Sequence, residues 1–526
     1  MQLSDLIAGL GLTLIRGEAT VELTHLTDDS RLVVPGSLFI ARAGTGSAPV
    51  DNRSFIEDAI ARGAVAVLTE PTVADRAEAA PVAWLTAAKV DQPLCGQLAE
   101  TFYGHPSRQL KVIGITGTNG KTTTAFLIQH LLSQAGCKCG LIGTVVNDDG
   151  ASRLPAELTT PGAIEFSRLL AAMVRNGCEA VVAEISSHAL HQGRAAALKV
   201  DVAVFTNLTG DHLDYHKTME EYAAAKSILF RSLSPQGFAV INADDAYGDR
   251  MLRGCQANVM RCSVKPDADE EEVRCRAEIL GLAADHSRVV FNGPWGSVDV
   301  RLPLVGKHNV YNALEAVAAA NCVTAMSRVL RQALEKCPAP AGRLEPVCLP
   351  QSEIRNPKSE IPLPAVLVDY AHTHDALENV LSALRPLTTG KLIVLFGCGG
   401  DRDKTKRPKM AKVACDWADR IIITSDNPRT ENPQQIIEDI LQGVTVDSGS
   451  GRSSGRSKPQ VIVEPDRAKA IALAIKQAES EDVVLLAGKG HEDYQIIGKT
   501  KHHFDDREHA AAALRQWRGQ PMVGQP

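Results

Sequence analysis

The segment Lys111-Val-Ile-Gly-Ile115 reads as a buried strand. It passes without a spacer into a glycine-bearing turn, Gly114-Ile-Thr-Gly-Thr-Asn-Gly-Lys-Thr122, and then into a helical stretch, Thr123-Thr-Ala-Phe-Leu-Ile-Gln-His-Leu-Leu132. A strand that is apolar on both faces must be covered on both, and a strand that feeds a helix through a tight turn supplies that cover. The same alternation recurs at Val181-Val-Ala-Glu184, Val202-Ala-Val-Phe205 and Phe238-Ala-Val-Ile241. It appears again at Ala365-Val-Leu-Val-Asp369, Leu392-Ile-Val-Leu-Phe396, Arg420-Ile-Ile-Ile-Thr424 and Val483-Val-Leu-Leu486. The fold class expected is α/β, with parallel sheets covered by helices.

A chain of 526 residues exceeds one ordinary core and calls for three or four domains. The first block holds small α/β material: a strand at Gly36–Ala41, helical spacing over Ser54–Arg62, a stop at Gly63 and a strand at Ala64–Leu68. The joint Gly104-His-Pro-Ser-Arg108 and the turn at Ala341-Gly-Arg343 mark boundaries. The expected division is 1–107, a small α/β domain; 108–340, a central parallel-sheet domain with the glycine turn; and 341–526, a Rossmann-like doubly wound domain. Two polar segments read as solvated loops: Pro350–Ser359, and the Gly/Ser-rich Asp447–Lys458.

Composition excludes several classes. Lys+Arg 56 against Asp+Glu 62 leaves a net charge of −6, so no overall basic field exists to hold nucleic acid or an anionic membrane. No apolar run approaches the roughly 18–20 residues of a spanning helix. The N-terminus first meets a charge at Asp5 and lacks the basic start of a signal peptide, as expected of a cytoplasmic chain. The 12 cysteines are scattered, which fits reduced thiols better than a disulfide framework. Cys137 and Cys139 form a tight pair without a second pair nearby, which argues against zinc.

The glycine turn carries the chemistry. Strand, glycine-rich turn, Lys121, Thr122 and helix make the setting of a phosphate loop, although the first glycine of the general spacing would fall at Ile115. Backbone N–H groups of such a turn close around phosphate oxygens, and the helix N-terminus adds positive potential. Lys121 can reach the β- and γ-phosphates, and the Thr122 or Thr123 hydroxyl can ligate Mg²⁺. Glu184, with His188 four residues on, and the segment Asn207–Asp214 follow strand ends, where open α/β sheets gather ligands. Lys226, on an Ala-rich helical stretch, would pass for a solvated charge.

These residues, in order, resemble the Mur ligases, the ATP-dependent amide ligases of peptidoglycan precursor synthesis. The family's phosphate loop, G-x-x-G-T-N/K-G-K-T/S, fits Gly114–Thr122 and accounts for the misfit at Ile115. Further matches are Thr159-Thr-Pro161, Glu184-Ile-Ser-Ser-His188, Asn207–Asp214, Ala225-Lys226, Gly306–Asn312 and Gly342-Arg343. They continue with Val368-Asp-Tyr-Ala-His372, Gly397–Asp403, Asp426-Asn-Pro-Arg429 and Gly488-Lys-Gly-His-Glu492. The resemblance covers essentially the whole chain. The string ending in Arg429 is similar to that of members adding meso-diaminopimelate, because lysine-adding members replace this arginine.

The resemblance implies roles residue by residue. Gly117, Thr118, Asn119, Gly120, Lys121, Thr122, Thr123, Asn309, Asn312 and Asp369 match ATP-site positions. Ser30, Thr159, Thr160, Ser186, Gln192 and Arg194 match positions that hold a UDP-muramoyl dipeptide, bound by the first domain and its neighbour. Arg402, Asp426, Asn427, Pro428, Arg429, Gly488 and Glu492 match the diaminopimelate site. There the guanidiniums would grip carboxylates and Glu492 would face an ammonium. Lys121, Lys226 and Arg343 match catalytic positions. Thr122, Glu184, His212 and Lys226, the last as a carbamate, match ligands of what would be two Mg²⁺ ions. The implied reaction passes the γ-phosphate of ATP to a D-Glu carboxylate, and an amine of diaminopimelate attacks the acyl phosphate. No general base can be named from the sequence. A monomer with small-molecule substrates, no nucleic acid and no membrane insertion is expected. The rival readings are a lysine-adding homologue and a ligase like folylpolyglutamate synthase. Departures from the family are Asp51-Asn-Arg53 in place of Asp-Gly-His, and His374 in place of proline.

Overall fold

The computed structural model describes residues 1–43, 51–72, 81–269, 272–347, 349, 363–444 and 458–517. Pro350–Ser359 and, apart from Lys458, Asp447–Lys458 lie outside the described residues. The architecture is α/β with mixed, mostly parallel sheets, as expected. The chain forms two compact units: Met1–Ala277 with Phe291–Ser297 and Tyr311–Ala333, and Glu278–Val290 with Val298–Val310 and Leu334–Pro526.

The first unit begins with a five-stranded sheet. Its order is Thr13–Arg16, Ala83–Thr86, Ala64–Thr69, Ser37–Ile40 and His25–Thr27. The first pair is antiparallel and the rest parallel. Helix Gln92–Phe102, capped by Asp91, carries the chain to the next sheet and packs on helix Ala163–Arg175. Glu100, buried between them, accepts hydrogen bonds from Ser107 at 2.6 Å and Ser167 at 3.1 Å.

The central sheet is built around parallel strands in the order Asn258–Ser263, Phe238–Asn242, Val202–Phe205, Lys111–Thr116, Ala180–Glu184 and Cys139–Ile142. Antiparallel strands Val146–Asp148 and Arg153–Pro155 extend it past Cys139–Ile142. Ala180–Glu184 and Val202–Phe205 are buried at every position, which explains their unbroken apolar runs. The reversal of strand order about Lys111–Thr116 puts a crevice at the strand carboxyl ends, where the glycine turn lies.

The second unit holds a sheet in the order Glu345–Pro346, Ala365–Asp369, Val483–Ala487, Leu392–Phe396, Arg420–Ile423 and Gln460–Val463. All strands except Glu345–Pro346 are parallel, and separate apolar clusters cover the two faces. A two-stranded hairpin, Tyr494–Ile497 with Thr500–His503, follows the last sheet strand. Among the described residues no helix is long and apolar enough to cross a membrane.

Candidate active site

The glycine turn is shaped by close approach. A side chain at Gly117 would run into the Thr206 hydroxyl. At Gly120, where φ is +87°, it would run into the Asn312 amide. The segment after strand Val202–Phe205 clamps the loop. Thr118 N donates to the Asn207 carbonyl at 2.8 Å and Asn119 N to Asn207 Oδ1 at 3.0 Å. Thr206 Oγ1 donates to the Asn119 carbonyl at 2.6 Å. Helix Lys121–Gln134 starts at once, so its first-turn N–H groups point into the loop. Gly114, the first glycine of the motif, belongs instead to the strand, where a side chain would meet Ile185 and Leu229.

Two lysines converge on one carbonyl. Lys121 Nζ donates to the Gly117 carbonyl and the Thr118 carbonyl, both at 2.9 Å. Lys226 Nζ donates to the same Gly117 oxygen at 2.8 Å and lies 4.3 Å from the centre of the Tyr222 ring. Lys226 is 1% exposed. Burial first, and then the Lys121 charge, hold its amine well below the usual lysine range.

Glu184 is fully buried. Its Oε2 accepts from Thr122 Oγ1 at 2.9 Å and Thr144 Oγ1 at 3.0 Å, and its Oε1 accepts from Thr144 N at 2.8 Å. These donors are all neutral, so a buried anion with an added divalent cation is electrostatically sound here. The His212 ring is 5.0 Å from His188 and 6.1 Å from Tyr222, edge-on to both, and its Nε2 is 3.5 Å from Asp211. Among the described residues no group of three or more His, Cys, Asp or Glu is arranged to hold a metal. Thr122 and Glu184 are the pair of expected ligands that hydrogen-bond directly.

The carboxyl end of strand Ala180–Glu184 continues into a polar network. Thr160 Oγ1 donates to the Glu184 carbonyl at 2.8 Å and accepts from Ser186 N at 3.0 Å. Arg194 donates to the Thr160 carbonyl at 3.0 Å and to Gln192 Oε1 at 2.9 and 2.6 Å. Thr159 accepts from Thr144 at 3.2 Å. Burial, and then Arg42, push the Arg194 guanidinium below its ordinary range. Arg42 Nε also donates to Asp28 at 2.9 Å, close in sequence to buried Ser30. Arg42, paired to Asp28, thus lies near enough to Arg194 for the two guanidiniums to act on each other. Where the family has Asp-Gly-His, Asn52 is buried and fills its own role: it accepts from Arg42 N and donates to the Asp28 carbonyl at 2.7 Å.

In the second unit the Asp426–Arg429 turn follows strand Arg420–Ile423 and is strapped to the hairpin. Arg429 N donates to the Ile496 carbonyl at 3.1 Å, and Gly498 N donates back to Arg429 at 2.8 Å. This pairing holds Arg429 at φ +50°, with Nη1 donating to the Gly400 carbonyl at 2.8 Å. Asn427 Nδ2 donates to Glu492 Oε2 at 2.9 Å. Arg402 is exposed, with Nη1 3.4 Å from the Asp401 carbonyl. The Gly488 N–H is taken by the Asp369 carbonyl at 3.0 Å. Asp369 also accepts from Leu344 N and Ala371 N, each at 2.8 Å, and Arg343 lies 5.3 Å from the Tyr370 ring centre. Asn309 donates to the Val305 carbonyl at 2.9 Å. Asn312, in the first unit, faces Gly120 and Thr124.

Comparison with known proteins agrees with this geometry. The profile of the Mur ligase middle domain matches residues 115–320, and that of the Mur ligase glutamate ligase domain residues 357–490. A UDP-N-acetylmuramoyl-L-alanyl-D-glutamate–2,6-diaminopimelate ligase of Synechococcus elongatus is 46% identical over 497 residues, 94% of each chain. The chain belongs to the Mur ligase family. The Geobacter sulfurreducens protein of the same name is 41% identical over 527 residues, covering 98% of this chain and 99% of its own. A solved ligase of that name superposes with a TM-score of 0.68 at 32% identity, over 98% of this chain and 99% of its own. Folylpolyglutamate synthase from Mycobacterium tuberculosis shares the fold, with a TM-score of 0.55 at 18% identity over 81% of this chain and 96% of its own.

Sequence reasoning passed over several residues of this Mur ligase. Thr144 binds both Glu184 oxygens. It sits just past strand Cys139–Ile142, the kind of strand-end position that singled out Glu184. Arg407 is wholly buried and joins Glu431 at 3.1 Å to Asp439 at 2.8 Å, while Glu431 accepts from Asp401 N at 2.6 Å. That bracing fixes the loop bearing Arg402, and no short-range pattern announces it. Lys489 falls within the Gly488–Glu492 string, and no motif position assigns it a role.

Proposed function

We propose that this chain is the ATP-dependent ligase that adds meso-2,6-diaminopimelate to the D-Glu carboxylate of UDP-N-acetylmuramoyl-L-Ala-D-Glu. The carrying observation is the cluster of Arg429, Asn427 and Glu492, strapped in place by the hairpin. A guanidinium and a carboxylate held together suit the carboxylate and ammonium of a zwitterionic amino-acid end. The names of relatives 41% and 46% identical along nearly all of the chain support the same acceptor. Lysine lacks the second carboxylate and would leave Arg429 unmatched, the kind of omission a polar site rejects strongly.

The division of labour follows the expected three domains, 1–107, 108–340 and 341–526. Ser30, Thr159, Thr160, Ser186, Gln192 and Arg194 hold the UDP-muramoyl dipeptide. The Gly117–Thr123 turn, Asn309, Asn312 and Asp369 hold ATP. Lys121 and Arg343 balance charge on the transferring phosphoryl group. Transfer of that group to the D-Glu carboxylate makes an acyl phosphate and ADP. The diaminopimelate amine attacks the acyl carbon, phosphate leaves and the amine proton is lost. Thr122, Glu184, His212 and Lys226 would hold Mg²⁺, which when bound neutralises phosphate charge. The low proton affinity of buried Lys226 supports its carboxylation, since only a neutral amine adds CO₂. The protein acts as a cytoplasmic monomer.

The test is ADP release from Mg²⁺·ATP and the UDP-muramoyl dipeptide with meso-diaminopimelate, L-lysine or no amino acid. Turnover with diaminopimelate alone is expected, and turnover with lysine instead would discard the account of Arg429. Lys121→Ala should lower the rate by at least about a hundredfold. An unchanged rate would remove the phosphate-loop assignment.

A further inference from the structure

Lys489 is required by no step above, yet its side chain is wholly buried in the C-terminal unit. It stands just past strand Val483–Ala487, and its ammonium ends among oxygens. Nζ donates to the Tyr494 carbonyl at 2.6 Å and to Asn427 Oδ1 at 3.2 Å. It lies 3.2 Å from Asp426 Oδ1 and 4.0 Å from Glu492 Oε2. A buried ammonium persists only where such partners surround it.

This placement decides which way Asn427 faces. Its Oδ1 accepts from Lys489 Nζ and also from Ile496 N at 3.0 Å. With two donors converging on one end, a flipped amide would set NH₂ against both. The amide nitrogen is therefore turned to Glu492 Oε2, at 2.9 Å. The same ammonium stands between two carboxylates. The charged and titratable groups acting on Glu492 are Asp426, Lys489 and Arg429, with Arg467, Tyr370 and Tyr494 behind them. Burial and then Asp426 push the Glu492 carboxyl up, while Asn427, Lys489 and Arg429 pull it back.

We propose that Lys489 is the positioning residue of the amino-acid site, turning Asn427 to Glu492 and keeping Glu492 an anion that can receive the substrate ammonium. This rests on the reading above that the cluster binds a zwitterionic amino acid. Lys489 acts through its neighbours and does not touch substrate. Without its charge, Asp426 and Glu492 repel in a buried space, and one takes a proton more readily. The amide is also released to turn. The Michaelis constant for the amino acid then becomes pH-dependent, falling as pH rises through the raised Glu492 titration.

Lys489→Met and Lys489→Arg, in the full chain, separate this from a merely structural role. KM for meso-diaminopimelate, ATP and the UDP-muramoyl dipeptide would be measured from about pH 6.5 to 9, together with Tm. Lys489→Met should raise the diaminopimelate KM by about tenfold near neutrality, with recovery at high pH and the other two constants kept within about twofold. Lys489→Arg, which keeps the charge, should keep the wild-type dependence of KM on pH. A common shift of all three constants, or a diaminopimelate KM that is unchanged or raised equally at every pH, would overturn the proposal. If Lys489→Met does not fold, Lys489→Gln retains a donor without charge and is read by the same outcomes. A wild type that uses another amino acid would refute the acceptor reading alone; the comparison, repeated with that amino acid, would still decide the role of Lys489.

Discussion

Lys226 shows how a single residue can be invisible in the sequence and decisive in the fold. On an Ala-rich helix a lone lysine reads as a solvated charge, and only resemblance marked it. The structure buries it against the Gly117 carbonyl and beside Lys121. Its folded pKa is depressed below the unfolded value, so the folded chain binds fewer protons there. Stability then rises with pH through the window between the two values, and the full penalty applies below the folded one. In bicarbonate-free buffer near neutrality, Lys226→Met should raise Tm by a few degrees, the size that about 1 kcal/mol produces, and the gain should shrink toward pH 10. Thermal melts across pH check this, and a loss of stability would mean that the ammonium is paired and charged. Turnover should be lost in the same variant. Glu184, by contrast, stands out beside the phosphate loop, although a carboxylate at a strand end is by itself more often structural. Thr144 does not, because a threonine after a strand is common and its value lies in reaching both oxygens of a residue distant in sequence.

At the scale of elements, fully buried parallel strands were the most readable features. Val181–Glu184 is found as Ala180–Glu184, and Leu392–Phe396 and Val202–Phe205 as read. Helical ends were less so. The helix after the glycine turn begins at Lys121 rather than Thr123, and Ser54–Arg62 divides into a 3₁₀ turn, Asn52–Phe55, and a short helix, Ile56–Ala61. The hairpin that straps Arg429 escaped notice because Thr500–His503 is exposed throughout and carries no apolar alternation. Nor does local pattern reveal the ion pair joining helices Arg467–Lys476 and Asp506–Gln516. Arg467 and Asp506 are both fully buried, 2.6 Å apart, and Arg467 also donates to the Ala487 carbonyl at 3.1 Å. Asp506→Ala would leave a buried guanidinium without its counter-charge, which should cost about 3–5 kcal/mol and lower the urea midpoint. Arg467→Met with Asp506→Leu should recover most of that loss. A single variant that melts like wild type would show the pair to be solvated.

For the whole molecule, the informative fact is that binding residues are partitioned between two units with separate cores. The positions assigned to the UDP-muramoyl dipeptide, from Ser30 to Arg194, all fall in the first unit, and those assigned to diaminopimelate, from Arg402 to Glu492, all fall in the second. Units with their own cores unfold as their own transitions, so calorimetry should show two. A ligand that binds only the native form stabilises what it binds by RT ln(1 + [L]/Kd), about 2.7 kcal/mol at a hundredfold excess over Kd. The UDP-muramoyl dipeptide alone should therefore raise one transition, and meso-diaminopimelate alone the other. ATP candidates fall in both units, Lys121 and Asn312 in the first, Arg343 and Asp369 in the second. Nucleotide should raise the first transition through the Gly117–Thr123 turn, and Lys121→Ala should weaken that effect. A single transition raised equally by either substrate would show one cooperative body, and the assignment of separate binding units would fall with it.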